Sequence, residues 1–155
     1  MRISERVDNA VRAMAELAAN DGLVMKAEAI ADRQVISLKY LLDILGDLKR
    51  ASLVRSKRGP DGGFVLARAA ADISLADIFR AVDGPLADVH DTGLSGLEYP
   101  PPAQSLVEVW MAIRGSLRSV LETVSIADLV SGELPSQVLA LAENYRQTTH
   151  ERYGI

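Results

Sequence analysis

The sequence predicts a mainly α-helical protein carrying a small β-hairpin wing: a winged helix-turn-helix followed by a long dimerisation helix. Three observations carry that expectation. Apolar residues at Leu38, Leu41, Leu42, Ile44, Leu45 and Leu48 recur at helical spacing behind Ser37. Two short β-prone runs, 53–56 and 64–67, follow at once, joined by the turn-forming segment Lys57-Arg58-Gly59-Pro60-Asp61-Gly62-Gly63. Further on, Leu106, Trp110, Ile113, Leu117, Val120 and Val124 are spaced four, three, four, three, four, as in a coiled-coil seam.

In chain order, residues 4–19 read as a first helix with Ser4 as its cap and Val7, Val11, Met14 and Ala18 on one face. Asn20-Asp21-Gly22 ends it, since glycine is the usual residue just past a helix. A short helix over 26–33 turns Ala27, Ile30 and Ala31 inward, and Gln34-Val35-Ile36 connects it to the helix behind Ser37. Two helices joined by three residues form a helix-turn-helix pattern. The opposite face of the second carries Lys39, Tyr40, Asp43 and Asp47.

Beyond the hairpin, Ser74-Leu75-Ala76-Asp77 resembles a capping box and opens a helix that stops at Asp83-Gly84-Pro85. Residues 86–102 read as a loop closing on Pro100-Pro101-Pro102, long enough to suggest a role of its own. Ser105-Leu106-Val107-Glu108 reads as a fuller capping box at the start of the longest helix. In so short a chain that helix has little to pack against except a second copy, which implies a two-fold pair. Ser125-Ile126-Ala127-Asp128-Leu129 begins a further short helix, and a partly helical tail follows Pro135. The expected organisation is a winged domain over 1–85, a loop over 86–102, and a dimerisation helix with its tail over 103–155.

Composition narrows the function. The chain has 155 residues, 48% hydrophobic and 25% charged, as in ordinary folded domains. No apolar run is long enough to span a bilayer and the N-terminus has no signal-peptide pattern, so a cytoplasmic protein without membrane contact is expected. It contains no cysteine, which removes disulfides, thiolate chemistry and Cys-ligated metal. The net charge of −4 conceals an asymmetry. Residues 1–68 hold 12 basic against 9 acidic residues, residues 69–155 hold 5 against 12. Between Leu48 and Pro60 lie Lys49, Arg50, Arg55, Lys57 and Arg58 with no acidic residue. Local field, rather than net charge, steers a polyanion such as DNA. Catalysis is not expected: the histidines are His90 and His150 alone, and the glycines at 59, 62 and 63 fit neither a P-loop nor a dinucleotide fingerprint.

Several stretches together resemble the winged-helix regulator family of the iron–sulfur cluster regulator IscR, the nitric-oxide sensor NsrR and the cysteine-metabolism repressor CymR. They are Met1-Arg2-Ile3-Ser4, Ile36 to Leu42, Leu53-Val54-Arg55-Ser56, Arg58 to Ala67, Ile73 to Ile78, Val82-Asp83-Gly84-Pro85 and Ile126-Ala127-Asp128-Leu129. The resemblance covers roughly residues 1–130, and its Arg-Gly-Pro-x-Gly-Gly wing is specific. It implies a homodimeric transcription regulator, usually a repressor, that binds an imperfect palindrome in double-stranded DNA. By the same resemblance Ser37, Lys39 and Tyr40 face the major groove. Arg55, Lys57, Arg58, Gly62 and Gly63 belong to a wing on phosphates or in the minor groove. Lys26, just before the second helix, is expected to hold the DNA backbone beside them.

The departure from the family is as informative. Cluster-binding members carry three cysteines in the loop before the dimer helix, and residues 87–103 here have none. His90 in that loop and Asp8 on the first helix, where the nitric-oxide sensor has a carboxylate ligand, are therefore expected to hold no metal. No cofactor is expected. A small-molecule effector lodged among the loop, the first helix and the long helix is one route to regulation. The alternative function is a winged-helix protein-interaction module that has lost DNA binding.

Overall fold

Ser4 Oγ accepts the Val7 backbone N–H at 3.1 Å and so begins α1, Glu5–Ala19. The computed structural model describes residues 3–86, 94 and 96–153. After α1 come α2, Ala27–Gln34, and α3, Leu38–Arg50, the latter capped by Ser37 Oγ accepting from Tyr40 N. The hairpin pairs β1, Val54–Lys57, with antiparallel β2, Gly63–Leu66, from Val54 opposite Leu66 to Lys57 opposite Gly63. A single 3-10 turn precedes α4, Leu75–Val82; then follow α5, Leu106–Leu121, α6, Ile126–Ser131, and α7, Ser136–Tyr153. Among the described residues no helix is long and apolar enough to cross a membrane.

The core fills the angle between α1, α2 and α3. Met14, Leu17, Ile30, Leu41, Ile44, Leu45 and Leu48 are fully buried there, and Leu53, Ile73, Ile78 and Ile126 close it from the hairpin, α4 and α6. Two of the six apolar residues assigned to the inner face of α3 do not go inward. Leu38 and Leu42 are exposed, because they sit on the flank of a 100° turn whose centre is Leu41, Ile44, Leu45 and Leu48.

The hairpin is not a free flap. Met25, just before α2, bridges Phe64 on β2: Met25 N donates to Phe64 O at 2.9 Å, and Phe64 N to Met25 O at 2.7 Å. This one-residue third strand ties the wing to the helix-turn-helix. At the corner itself, Val35 adopts φ 54° and ψ 50°, a left-handed conformation that costs a β-branched residue about 1–2 kcal/mol. Arg12 on α1 braces the corner, donating through Nε to Gln34 Oε1 at 3.0 Å and through Nη2 to the Gln34 carbonyl.

Three expectations need correction. Ser105 forms no capping box: it already has helical φ and ψ, and the Leu106 N–H is satisfied by the Ala103 carbonyl instead. Val124 cannot extend the long seam. The helix ends at Leu121, and Val124 is 3% exposed, folded back into its own chain with its carbonyl accepting Leu75 N–H. Beyond it, Ser125 bridges Ser74, Ile126 N donates to Ile73 O, and α6 lies against α1. Lastly, the tail after Pro135 is a continuous helix of 18 residues rather than a partial one. The capping boxes at Ser74–Asp77 and Ser125–Asp128 both form. His90 and much of the 86–102 loop lie outside the described residues.

Candidate nucleic-acid interface

The exposed edge of α3 and the wing stand side by side, and the residues between them line two grooves. One, of about 440 Å³, is bounded by Lys26, Leu42, Lys57, Gly59, Pro60 and Gly63. The other, of about 590 Å³ on the far side of the hairpin, is bounded by Lys49, Ser52, Val54, Arg55, Ser56 and Arg58. The basic residues named from the sequence therefore divide, with Lys26 and Lys57 on one groove and Arg55 and Arg58 on the other. Lys49 and Leu42 belong to the same surface, although the sequence reading placed Lys49 only in the basic run and Leu42 on the inner face of α3. Lys49 Nζ reaches Ser56 Oγ at 2.7 Å, a contact from α3 to the wing that the basic run 48–60 could have suggested. Ser37 and Lys39 lie at the exposed start of α3 and line neither groove.

The wing tip is exposed from Arg55 through Asp61, so its cations face solvent. Glycines make that shape possible. A Cβ on Gly62 would stand 2.3 Å from the Lys57 carbonyl oxygen, and one on Gly63 would stand 2.4 Å from that of Met25. Both close approaches are backbone to backbone, so the two glycines serve the hairpin's own geometry. Gly62 N donates to Gly59 O at 2.9 Å and closes the turn.

Tyr40 is held differently from its neighbours. It is half-buried, packs on the core, and lies under the guanidinium of Arg6 from α1. Arg6 in turn pairs with Asp47 on α3, and this hydrogen bond raises the Arg6 pKa above its ordinary value. Asp47 also pairs with Arg50. The two acidic residues expected on the outer face of α3 thus differ: Asp43 is exposed, whereas Asp47 is occupied by two arginines.

Along α5 no residue is fully buried, and Val109, Met111 and Ile113 are exposed. Leu106, Trp110, Leu117 and Val120 are partly covered, and Trp110 Nε1 donates to Tyr99 OH at 3.3 Å. Apolar side chains are thus left uncovered on several sides of α5 within the single chain.

The Rrf2 family model, described as an iron-dependent transcriptional regulator, matches residues 3–132. The Mycobacterium tuberculosis protein Rv1287, designated a candidate HTH-type transcriptional regulator, is 47% identical over 155 residues, covering 99% of this chain and 96% of that one. The HTH-type transcriptional regulator CymR of Bacillus subtilis is 33% identical over 132 residues, covering 84% of this chain and 91% of its own. The solved structure of CymR, the global cysteine regulator of B. subtilis, superposes with a TM-score of 0.71 at 32% identity, over 84% and 97% of the two chains. The IscR structure of T. potens gives 0.66 at 30% identity, over 85% and 88%. The family and these relatives are transcriptional regulators, not enzymes.

The family description raises the question of iron, and the donor set does not fit a thiolate-held cluster. The chain has no cysteine, and among the described residues no three His, Asp or Glu side chains converge as a metal site would require. Asp8 is exposed and pairs with Arg12 at 3.5 Å.

Proposed function

As the chain belongs to the Rrf2 family of helix-turn-helix transcriptional regulators, we propose that it is a homodimeric, sequence-specific DNA-binding repressor that works in the cytoplasm without an iron–sulfur cluster. The observation carrying this reading is the exposed cationic wing, tied to the segment before α2 through Met25 and to the end of α3 through Lys49, so that it stands fixed beside α3. Lys39 and Ser37 read base edges in the major groove, with Tyr40 at the margin of that face. Arg55, Lys57, Arg58 and Lys26 neutralise phosphates on either side of the hairpin. Gly62 and Gly63 give the wing its narrow tip.

Dimerisation follows from α5. Its seam of Leu106, Trp110, Ile113, Leu117 and Val120 meets the same seam of a second copy, and the pair sets two α3 helices about 10 bp apart or a multiple of it, on an imperfect palindrome. Selection of bound fragments from a random DNA pool identifies the operator, and gel shifts on it test the roles. Lys39→Ala is expected to relax preference at particular bases. Arg58→Ala is expected to weaken all sequences alike and to reduce the salt dependence by about one unit of slope. Both variants binding like the wild type would reject the assignment.

A further inference from the structure

Residues 69–155 are acidic, with 5 basic residues against 12 acidic, yet three of the five basic side chains meet at one place. Arg80 of α4 and Arg114 and Arg118 of α5 line a half-open cavity of about 420 Å³, closed on one side by Gly84, Pro85 and Leu86. Glu122 partly neutralises the group. It accepts from Arg118 Nε at 2.9 Å and from Arg80 Nη2, and these bonds hold its carboxyl below the ordinary range. Arg80 also stands 3.9 Å from Asp77. Arg114 has no carboxylate partner among the described residues, although it lines the same cavity. Guanidinium groups stay charged at any physiological pH and present planar forks of donors suited to phosphate and carboxylate. Among the described residues these three guanidinium groups meet two carboxylates, Glu122 and Asp77, and an anion supplies the remaining counter-charge.

We propose that this cavity binds a small phosphate- or carboxylate-bearing anion, and that its occupancy couples the winged body to the long helix. The walls make the coupling. Arg80 and the Gly84-Pro85-Leu86 turn belong to the winged body, while Arg114 and Arg118 belong to α5. An anion bridging them fixes the angle between the two parts, and a ligand that favours one angle shifts the population toward it. The described lining comes from α4 and α5 and not from α1, which the sequence alone had suggested. The effect on operator affinity rests on the DNA-binding reading above; anion binding does not.

The test is calorimetric titration of the full chain with inorganic phosphate and, separately, succinate, at ionic strength held constant with sodium chloride. Wild type is expected to show saturable binding of one anion per chain for at least one of the two, and the stronger identifies the class. Arg114→Gln, which breaks no ion pair among the described residues, is expected to bind about tenfold more weakly with an unchanged circular dichroism spectrum. Equal binding by Arg114→Gln, or saturation by neither anion, overturns the site. Loss of self-association in Arg114→Gln also overturns it, because Arg114 would then serve a carboxylate of a second copy. With the site in place, the anion is expected to change wild-type operator affinity and leave that of Arg114→Gln unaltered; no change in wild type overturns the coupling. If neither protein binds DNA at all, the DNA-binding reading falls while the calorimetry still decides the anion site.

Discussion

The guanidinium carbon of Arg6 stands 5.8 Å from the centroid of the Tyr40 ring, joining the first turn of α1 to the first turn of α3. The same guanidinium pairs with Asp47 two turns further along α3. A single side chain of α1 therefore clamps the helix assigned to the major groove at two points. Cation–π attraction at a partly exposed site and a partly buried ion pair are each worth about 0.5–1 kcal/mol. Arg6→Ala is thus expected to destabilise the fold by about 1 kcal/mol and lower the thermal midpoint by about 2–4 °C. It should also loosen Tyr40 and weaken operator binding, although Arg6 itself need touch no DNA. Arg6→Lys, keeping the charge but losing the planar fork, should recover only part of both. Thermal unfolding followed by circular dichroism, with midpoints equal for all three proteins, would rule the clamp out.

The wing separates shape from charge, and two substitutions pull them apart. Gly63→Ala brings a methyl group to 2.4 Å from Met25 O, where nothing but backbone can yield. Relief requires breaking the Met25–Phe64 bridge, so a loss of about 1–3 kcal/mol is expected together with a wing detached from α2. Arg58→Ala, at an exposed tip position, should leave the urea midpoint unchanged. A Gly63→Ala protein with the wild-type urea midpoint would contradict this account of the glycine.

Val35 offers a gain rather than a loss. It is 91% exposed at positive φ, so its side chain contributes strain and little packing. The strain persists because Arg12 grips Gln34 on one side and Ile36 N donates to Ala31 O on the other. Val35→Gly removes the clash of Cβ with the backbone, against the entropy that glycine restores to the unfolded chain. Relief of about 1–2 kcal/mol outweighs that entropy, so the midpoint of thermal unfolding should rise by about 2–4 °C. A fall in the midpoint would mean that Val35 packs against something in the functional assembly.

Local chemistry was legible in the residues and long-range pairing was not. The caps at Ser4, Ser37, Ser74 and Ser125 depend on a side chain and a backbone group three residues away, and all four form. The hairpin announced itself through its glycines and its change of period. By contrast, the bridge of Met25 to Phe64 and that of Ser74 to Ser125 involve single residues, too short to leave a pattern. Val124 continued the four-three spacing on paper, but spacing has no knowledge of where a helix stops. Ser125 caps a new helix and draws Val124 back into the core. The last helix read as only partly helical because Leu139 lies on the opposite face from Leu141 and Tyr145, and good helix formers rather than one apolar stripe extend it. For the interface, the cations were visible as a run, whereas the Arg6–Tyr40 pairing spans 34 positions and only folding reveals it.

Self-association turns on the state of α5, and Ile113 decides it. This residue is 43% exposed in the single chain, mid-helix, on a segment with no fully buried side chain. In an isolated chain Ile113→Asp would exchange one exposed side chain for another and cost little beyond helix propensity, about 0.5 kcal/mol. In a seam between two copies it would place two carboxylates in an apolar interface, where burial of an unpaired charge costs several kcal/mol per ion. The two cases therefore give opposite results in one measurement. Sedimentation equilibrium is expected to find wild type as a dimer and Ile113→Asp as a folded monomer, with Trp110 fluorescence shifted to the red as its surroundings become wet. Val124→Asp provides the contrast: because Val124 is buried within the chain itself, that variant should unfold rather than merely dissociate. A wild-type chain that sediments as a monomer, or an Ile113→Asp chain that stays a dimer, would remove α5 as the interface.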